Sequence, residues 1–123
     1  MTTRTAQRFA QEWIERFNAR DLPTLLAEFS EDCTFISPRA QARGENGVVH
    51  SRKALAEYWG ASLQSIQSLH FVLDRVLYDP SARSMAIVYQ AAIDGRSNRA
   101  VEIYEFDEHD RIVRGEAMYG AGL

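Results

Sequence analysis

Val101-Glu-Ile-Tyr-Glu-Phe-Asp-Glu-His-Asp-Arg-Ile-Val113 is the stretch on which the architecture turns. Up to Phe106 the side chains fall into two alternating sets, Val101, Ile103 and Glu105 against Glu102, Tyr104 and Phe106, which is the period of an extended strand. Asp107-Glu-His-Asp110 carries turn chemistry, and an apolar run resumes at Ile112. A strand, a hairpin and a second strand follow, with one carboxylate, Glu102, set in mid-strand among aromatic rings.

The same signal extends on both sides. Residues 69–78, 84–93, 98–106 and 111–119 are rich in β-branched and aromatic side chains. They are divided by Asp79-Pro-Ser-Ala82, Asp94-Gly-Arg-Ser97 and Asp107-Glu-His-Asp110, so they read as four antiparallel strands. Before residue 66 the period is helical. Phe9, Ala10, Trp13, Ile14 and Phe17 recur every three or four residues in a first helix that ends at Asn18 to Arg20. Asp21 is placed to cap a second helix with Pro23 in its first turn and Leu22, Leu25, Leu26 and Phe29 on its apolar side. Cys33-Thr-Phe-Ile-Ser37 is a short strand stopped by Pro38, and 39–47 has loop composition. Ser51 caps a third helix, 52–65, that buries Ala54, Leu55, Tyr58, Trp59 and Leu63. Helices first and a meander afterwards is the α+β arrangement, with helices packed on one face of a bent sheet.

The 123 residues are too few for two ordinary domains, so 1–123 is read as one. Thirteen Arg and one Lys are scattered along the chain and outnumbered by 17 acids, which disfavours nucleic-acid binding. Cys33 has no partner for a bridge, and there is no leader or apolar run of about 18 residues. A cytoplasmic protein with no membrane contact is the expectation. His50, His70 and His109 are isolated, so no metal and no other cofactor is expected; His50 is read as a loop or capping residue that could instead border a pocket mouth. Arg43-Gly-Glu-Asn-Gly47 lacks the Lys and Ser or Thr of a phosphate loop and reads as a flexible turn.

Centring the first hairpin on Gly95-Arg96 pairs Ala91 with Ala100 and Tyr89 with Glu102. A four-residue loop at 107–110 pairs Tyr104 with Val113 and Glu102 with Gly115. One face then carries Ile87, Tyr89, Ala91, Ala100, Glu102, Tyr104, Phe106, Val113, Gly115, Ala117 and Tyr119. A three-residue loop with Asp110 left-handed would set Glu116 beside Glu102 instead. If this face is the helix-covered one, Glu102 is a buried acid with a raised pKa, bonded by Tyr89 and facing space over Gly115. With the faces reversed it is an ordinary solvated glutamate.

The order of elements, together with Trp13-Ile-Glu-Arg-Phe-Asn-Ala-Arg-Asp21, Phe29-Ser-Glu-Asp-Cys-Thr-Phe-Ile-Ser-Pro38, Ala54-Leu-Ala-Glu-Tyr-Trp59 and the stretch quoted first, resembles the nuclear transport factor 2-like superfamily, in particular its SnoaL-like and ketosteroid isomerase-like branch. The resemblance implies a cone-shaped α+β barrel of cystatin-like type, in which N-terminal helices close a curved, mostly antiparallel sheet over a deep apolar pocket. It also implies a homodimer formed through the outer sheet face, where Val88, Val101, Ile103, Ile112 and Met118 are expected. It does not imply one reaction, because this fold hosts isomerases, dehydratases, cyclases, hydrolases and binding modules.

Carried across residue by residue, the isomerase pattern mostly lapses. Its base, an Asp before a Pro, falls on Ser37, which cannot hold a proton taken from carbon. Its oxyanion-donating Tyr falls on Trp13, and the supporting Tyr on Trp59. Its second donor, a protonated Asp, falls on Glu102, which keeps the acid. The remaining inventory is Glu102 as the one catalytic candidate and Trp13, Phe17, Ser37, Tyr58, Trp59, Tyr89, Tyr104 and Tyr119 as pocket lining, suited to a small apolar ligand with a carbonyl or hydroxyl. An enzyme using Glu102 as acid, a non-catalytic ligand carrier and a dimeric interaction module all fit these residues.

Overall fold

The computed structural model describes residues 1–42 and 46–123; the turn expected at 43–47 therefore lies partly outside the described residues. Helix α1 spans Thr3–Asn18 and starts with reciprocal capping, the Thr2 hydroxyl accepting from Thr5 N (3.1 Å) while Thr5 Oγ1 accepts from Thr2 N (2.7 Å). Its spacing turns Ala6, Ala10, Trp13, Ile14 and Phe17 inward. Asn18 fastens its end to the sheet, donating to Phe71 O (2.9 Å) and accepting from Phe71 N (2.7 Å).

Helix α2, Leu22–Leu26, is one turn capped by Asp21. Phe29, expected on this helix, instead opens strand β1, Phe29–Ile36, where it pairs with Ile112 and is fully buried against the rings of Trp59 and Tyr104. The sheet claims the aromatic residue that the helical spacing would have used. Ser37 N donates to Gly47 O and Ser37 O accepts from Ala40 N, so part of the expected loop is a short helix, α3, Pro38–Ala42. Strand β2, Val48–His50, follows, and α4 occupies Arg52–Ser65 with Ser51 as its cap. The remaining strands are β3 (Leu69–Asp79), β4 (Ser84–Ile93), β5 (Arg96–Phe106) and β6 (Ile112–Gly122).

The six strands form one open, curved sheet in the order β2-β1-β6-β5-β4-β3, antiparallel except where β1 runs parallel to β6. It is the α+β cone of the sequence reading, with the short strand β2 added at one edge. Its register needs two corrections. Asp94 and Gly95 are both left-handed (φ 50° and 83°), which makes them the two central residues of the hairpin and sets Ile93 against Arg96. Tyr89 therefore faces Ala100, and Glu102 faces Ile87. The offset from the expected pairing is two residues, so every side chain keeps its face.

The second hairpin contains two single-residue offsets that add to two, so each strand face is kept. Asp110 is left-handed (φ 59°), and Asp107 N donates to Arg111 O at 2.8 Å, closing the loop that on its own would bring Glu116 to Glu102. The pairing then slips between Phe106 with Ile112 and Glu105 with Arg114, leaving Val113 as a bulge. Beyond it Tyr104 faces Gly115 and Glu102 faces Ala117. Ile112, expected outside, is fully buried, while Val113, expected inside, is half-buried. The space expected over Gly115 is filled: a Cβ there would meet the Tyr104 ring at 2.7 Å and the Phe35 ring at 2.9 Å. The core lies between the inner sheet face and α1 and α4. Among the described residues no helix is long and apolar enough to cross a membrane.

Candidate functional site

Glu102 is 4% exposed, on the inner face of β5 as the alternation requires. The Tyr89 hydroxyl, from β4, donates to its Oε2 at 3.4 Å. Burial pushes the carboxyl pKa up to about 8, against the smaller opposing effects of the Tyr89 bond and the Arg39 charge. At neutral pH the group is mostly a carboxylic acid, able to donate a hydrogen bond as well as accept one. Burial also raises Tyr89 and Tyr104 well above the ordinary phenol value, and Tyr119 to about 12, so these three donate as neutral hydroxyls.

Glu102 borders a cavity of about 60 Å³, room for roughly four waters. Trp13 and Phe17 of α1, Tyr58 and Trp59 of α4, Tyr89 and Tyr119 line it with Glu102. The rings meet mainly edge-on, with Trp13 to Phe17 at 4.7 Å, Trp13 to Tyr89 at 5.1 Å and Phe17 to Trp59 at 5.2 Å between centroids. The sequence inventory thus largely converges on one volume, and two of its members stand behind the wall. The Tyr104 hydroxyl accepts from Trp13 Nε1 at 2.9 Å, which commits the indole N–H to holding α1 on the sheet. Ser37, 1% exposed, shares a hydrogen bond with the Tyr58 hydroxyl (3.1 Å), and its Oγ accepts from Arg39 N.

Several lining residues escape the sequence reading. Phe71 belongs to one of two alternating sets in β3 whose facing the sequence left open; it turns inward and His70 outward. Phe35, on β1, is buried by the same alternation that buries Cys33. Arg39 was assigned to loop, and no sequence signal brings it to the cavity. Its guanidinium carbon lies 4.4 Å from the Tyr119 ring centroid. His50, the other candidate for the mouth, is exposed on β2 and shares a hydrogen bond with Thr34. Among the described residues no cluster of three or more His, Cys, Asp or Glu has the geometry to hold a metal ion.

Helices closing a curved, open sheet over an aromatic core define the class of nuclear transport factor 2-like and cystatin-like domains. The comparisons give the family. The model of the SnoaL-like domain matches residues 10–115, and the chain belongs to that family. A SnoaL-like protein of unknown function from Burkholderia thailandensis is 32% identical, with 98% of this chain and 99% of that one covered at a TM-score of 0.86. An NTF2-like protein of unknown function from Burkholderia pseudomallei is 20% identical, with 98% and 92% covered and a TM-score of 0.80. A protein of unknown function with a cystatin-like fold from Methylobium petroleophilum is 19% identical, with 97% and 78% covered and a TM-score of 0.76. No curated protein matches the sequence.

Proposed function

We propose that this protein binds a small, largely apolar molecule in the aromatic cavity, with neutral Glu102 donating a hydrogen bond to a carbonyl or hydroxyl of the ligand, and that it works as a dimer joined through the outer sheet face. The observation that carries the reading is the position of Glu102. A carboxyl group 4% exposed among aromatic rings, with one long bond from Tyr89, retains unused hydrogen-bonding capacity toward the cavity. Membership of the SnoaL-like family supports a small-molecule site.

Binding is favoured over conversion by what surrounds the acid. The ionisable groups lining the cavity among the described residues are Glu102, Arg39, Tyr58, Tyr89 and Tyr119, and burial raises the last two above the ordinary phenol value. A proton abstraction needs a base with a pKa near the working pH, and neither the guanidinium nor a phenol with a raised pKa is one. The position at which the isomerases carry their base holds Ser37, a hydroxyl bonded to Tyr58.

The test uses the two tryptophans, which both line the cavity. Ketones and alcohols of three to five carbons, the size a cavity of about 60 Å³ can take, are titrated against their fluorescence. The expected result is saturable quenching that weakens about tenfold in Glu102→Leu, the loss of one hydrogen bond, and survives in Glu102→Gln, which keeps a donor. Equal affinity in the Leu variant would remove Glu102 from the site.

A further inference from the structure

Arg39 is the cavity residue that the proposed function leaves without a task. Its backbone is fixed at the start of α3, where Arg39 N donates to Ser37 Oγ at 3.2 Å. Its guanidinium is stacked on Tyr119 and borders two spaces, the aromatic cavity and a polar groove formed with Arg96, Ser97 and Asn98; Ile93 also borders both. Arg39 and Ile93 therefore stand between the apolar volume and the polar one. It makes no ion pair with any described residue. The one carboxylate among the described residues of the groove, Asp94, has its Oδ1 occupied by the N–H groups of Gln67 and Ser68, at 2.9 and 2.8 Å. The cavity wall also carries Tyr119, under the Arg39 guanidinium, and Tyr58, whose hydroxyl is bonded to Ser37.

We infer that the ligand is an amphipathic carboxylic acid, its apolar body among the rings of Trp13, Phe17, Trp59 and Phe71 and its carboxylate held by Arg39 at the mouth. This rests on the cavity reading above and narrows its ligand to a class. A guanidinium is a planar fork that matches a carboxylate with two parallel N–H bonds, and stacking on Tyr119 fixes the plane of that fork. Among the described residues no carboxylate pairs with this charge, and a wholly apolar ligand would bring none. Arg96, in the same groove, adds a second positive charge on the side from which an anion would enter.

The experiment compares acids with their own amides, which share shape and differ in charge. Butanoate against butanamide, and 3-methylbutanoate against 3-methylbutanamide, whose three- and four-carbon bodies suit a cavity of about 60 Å³, are titrated by tryptophan fluorescence at pH 7 and low salt. Each acid is expected to bind at least tenfold tighter than its amide. Arg39→Gln is expected to erase that difference by weakening the acid at least tenfold more than the amide, and Arg39→Lys to keep part of it. Arg39 is exposed, so neither change threatens folding. If acid and amide bind alike, or the preference for acid survives in Arg39→Gln, the acid class is wrong while the cavity reading stands. If no member of either pair quenches, both readings fail.

Discussion

Glu102 sits where ionisation is opposed by burial and only partly favoured by Tyr89 and Arg39, and that imbalance has a measurable sign. Its pKa moves from 4.5 to about 8 on folding, so between these values the native protein holds a proton that the unfolded chain has lost. The contribution is fully present below about pH 4.5 and is lost as pH rises toward 8, with a slope of up to about 1.4 kcal/mol per pH unit. Asp21 and Asp107 are shifted the other way, by bonds from Thr24 and from Arg111 and His109. Their contribution is present above their ordinary value of 3.8 and is lost only below it, outside the Glu102 window. Urea unfolding at pH 5, 6, 7 and 8 is therefore expected to show wild type losing stability relative to Glu102→Gln at each step. A constant difference between the two across that range would mean that the carboxyl is ionised and solvated.

At the scale of elements, Asp94 joins two parts of the molecule. Its left-handed backbone makes half of the β4–β5 hairpin, and its Oδ1 takes the N–H groups of Gln67 and Ser68, which lead from α4 into β3 between the cavity residues Ile66 and Leu69. Asp94→Ala loses both bonds and the tolerance for positive φ, and is expected to cost about 1–3 kcal/mol in thermal or urea unfolding. Asp94→Asn keeps an acceptor oxygen and the left-handed preference, and is expected to cost well under half of that. Equal losses would place the effect in the charge. The Asp-Gly pair was legible in the sequence, yet the reading centred the turn one residue later, on Gly95-Arg96. The face of Glu102 survived because strand parity ignores a shift of two. The β5–β6 hairpin survived for a less secure reason. The left-handed Asp110 and the Val113 bulge each move the register by one, and alternation gives no sign of a bulge at an apolar pair such as Ile112-Val113. Arg39 lay outside sequence reasoning for a different cause. Its place depends on Ser37 turning the chain at Pro38 and on a tertiary stack with Tyr119, and neither leaves a periodic trace.

The whole molecule has two apolar sheet faces but helices for only one. On the outer face Leu77 pairs with Ala86 and Ala86 with Ile103, while Val88 pairs with Val101 and Val101 with Met118, so the stripe runs across four strands. Leu77 remains 58% exposed and Met118 45%, although the strand alternation that exposes them is the one that buries Ile87, Tyr89 and Glu102 on the other side. Charged residues frame the stripe, with Arg99 paired to Asp74 and Arg114 to Glu116. An apolar centre with a charged rim is the anatomy of a protein–protein interface. The dimer proposed above is expected in size-exclusion chromatography with light scattering at micromolar concentration. Val101→Arg, a half-buried position at the middle of the stripe, is expected to give monomers. Because Val101 points away from the cavity, ligand titrations that read Trp13 and Trp59 should change little in that variant. A wild-type monomer would refute the dimer, and a Val101→Arg monomer that no longer binds would show that the two faces of the sheet do not act independently.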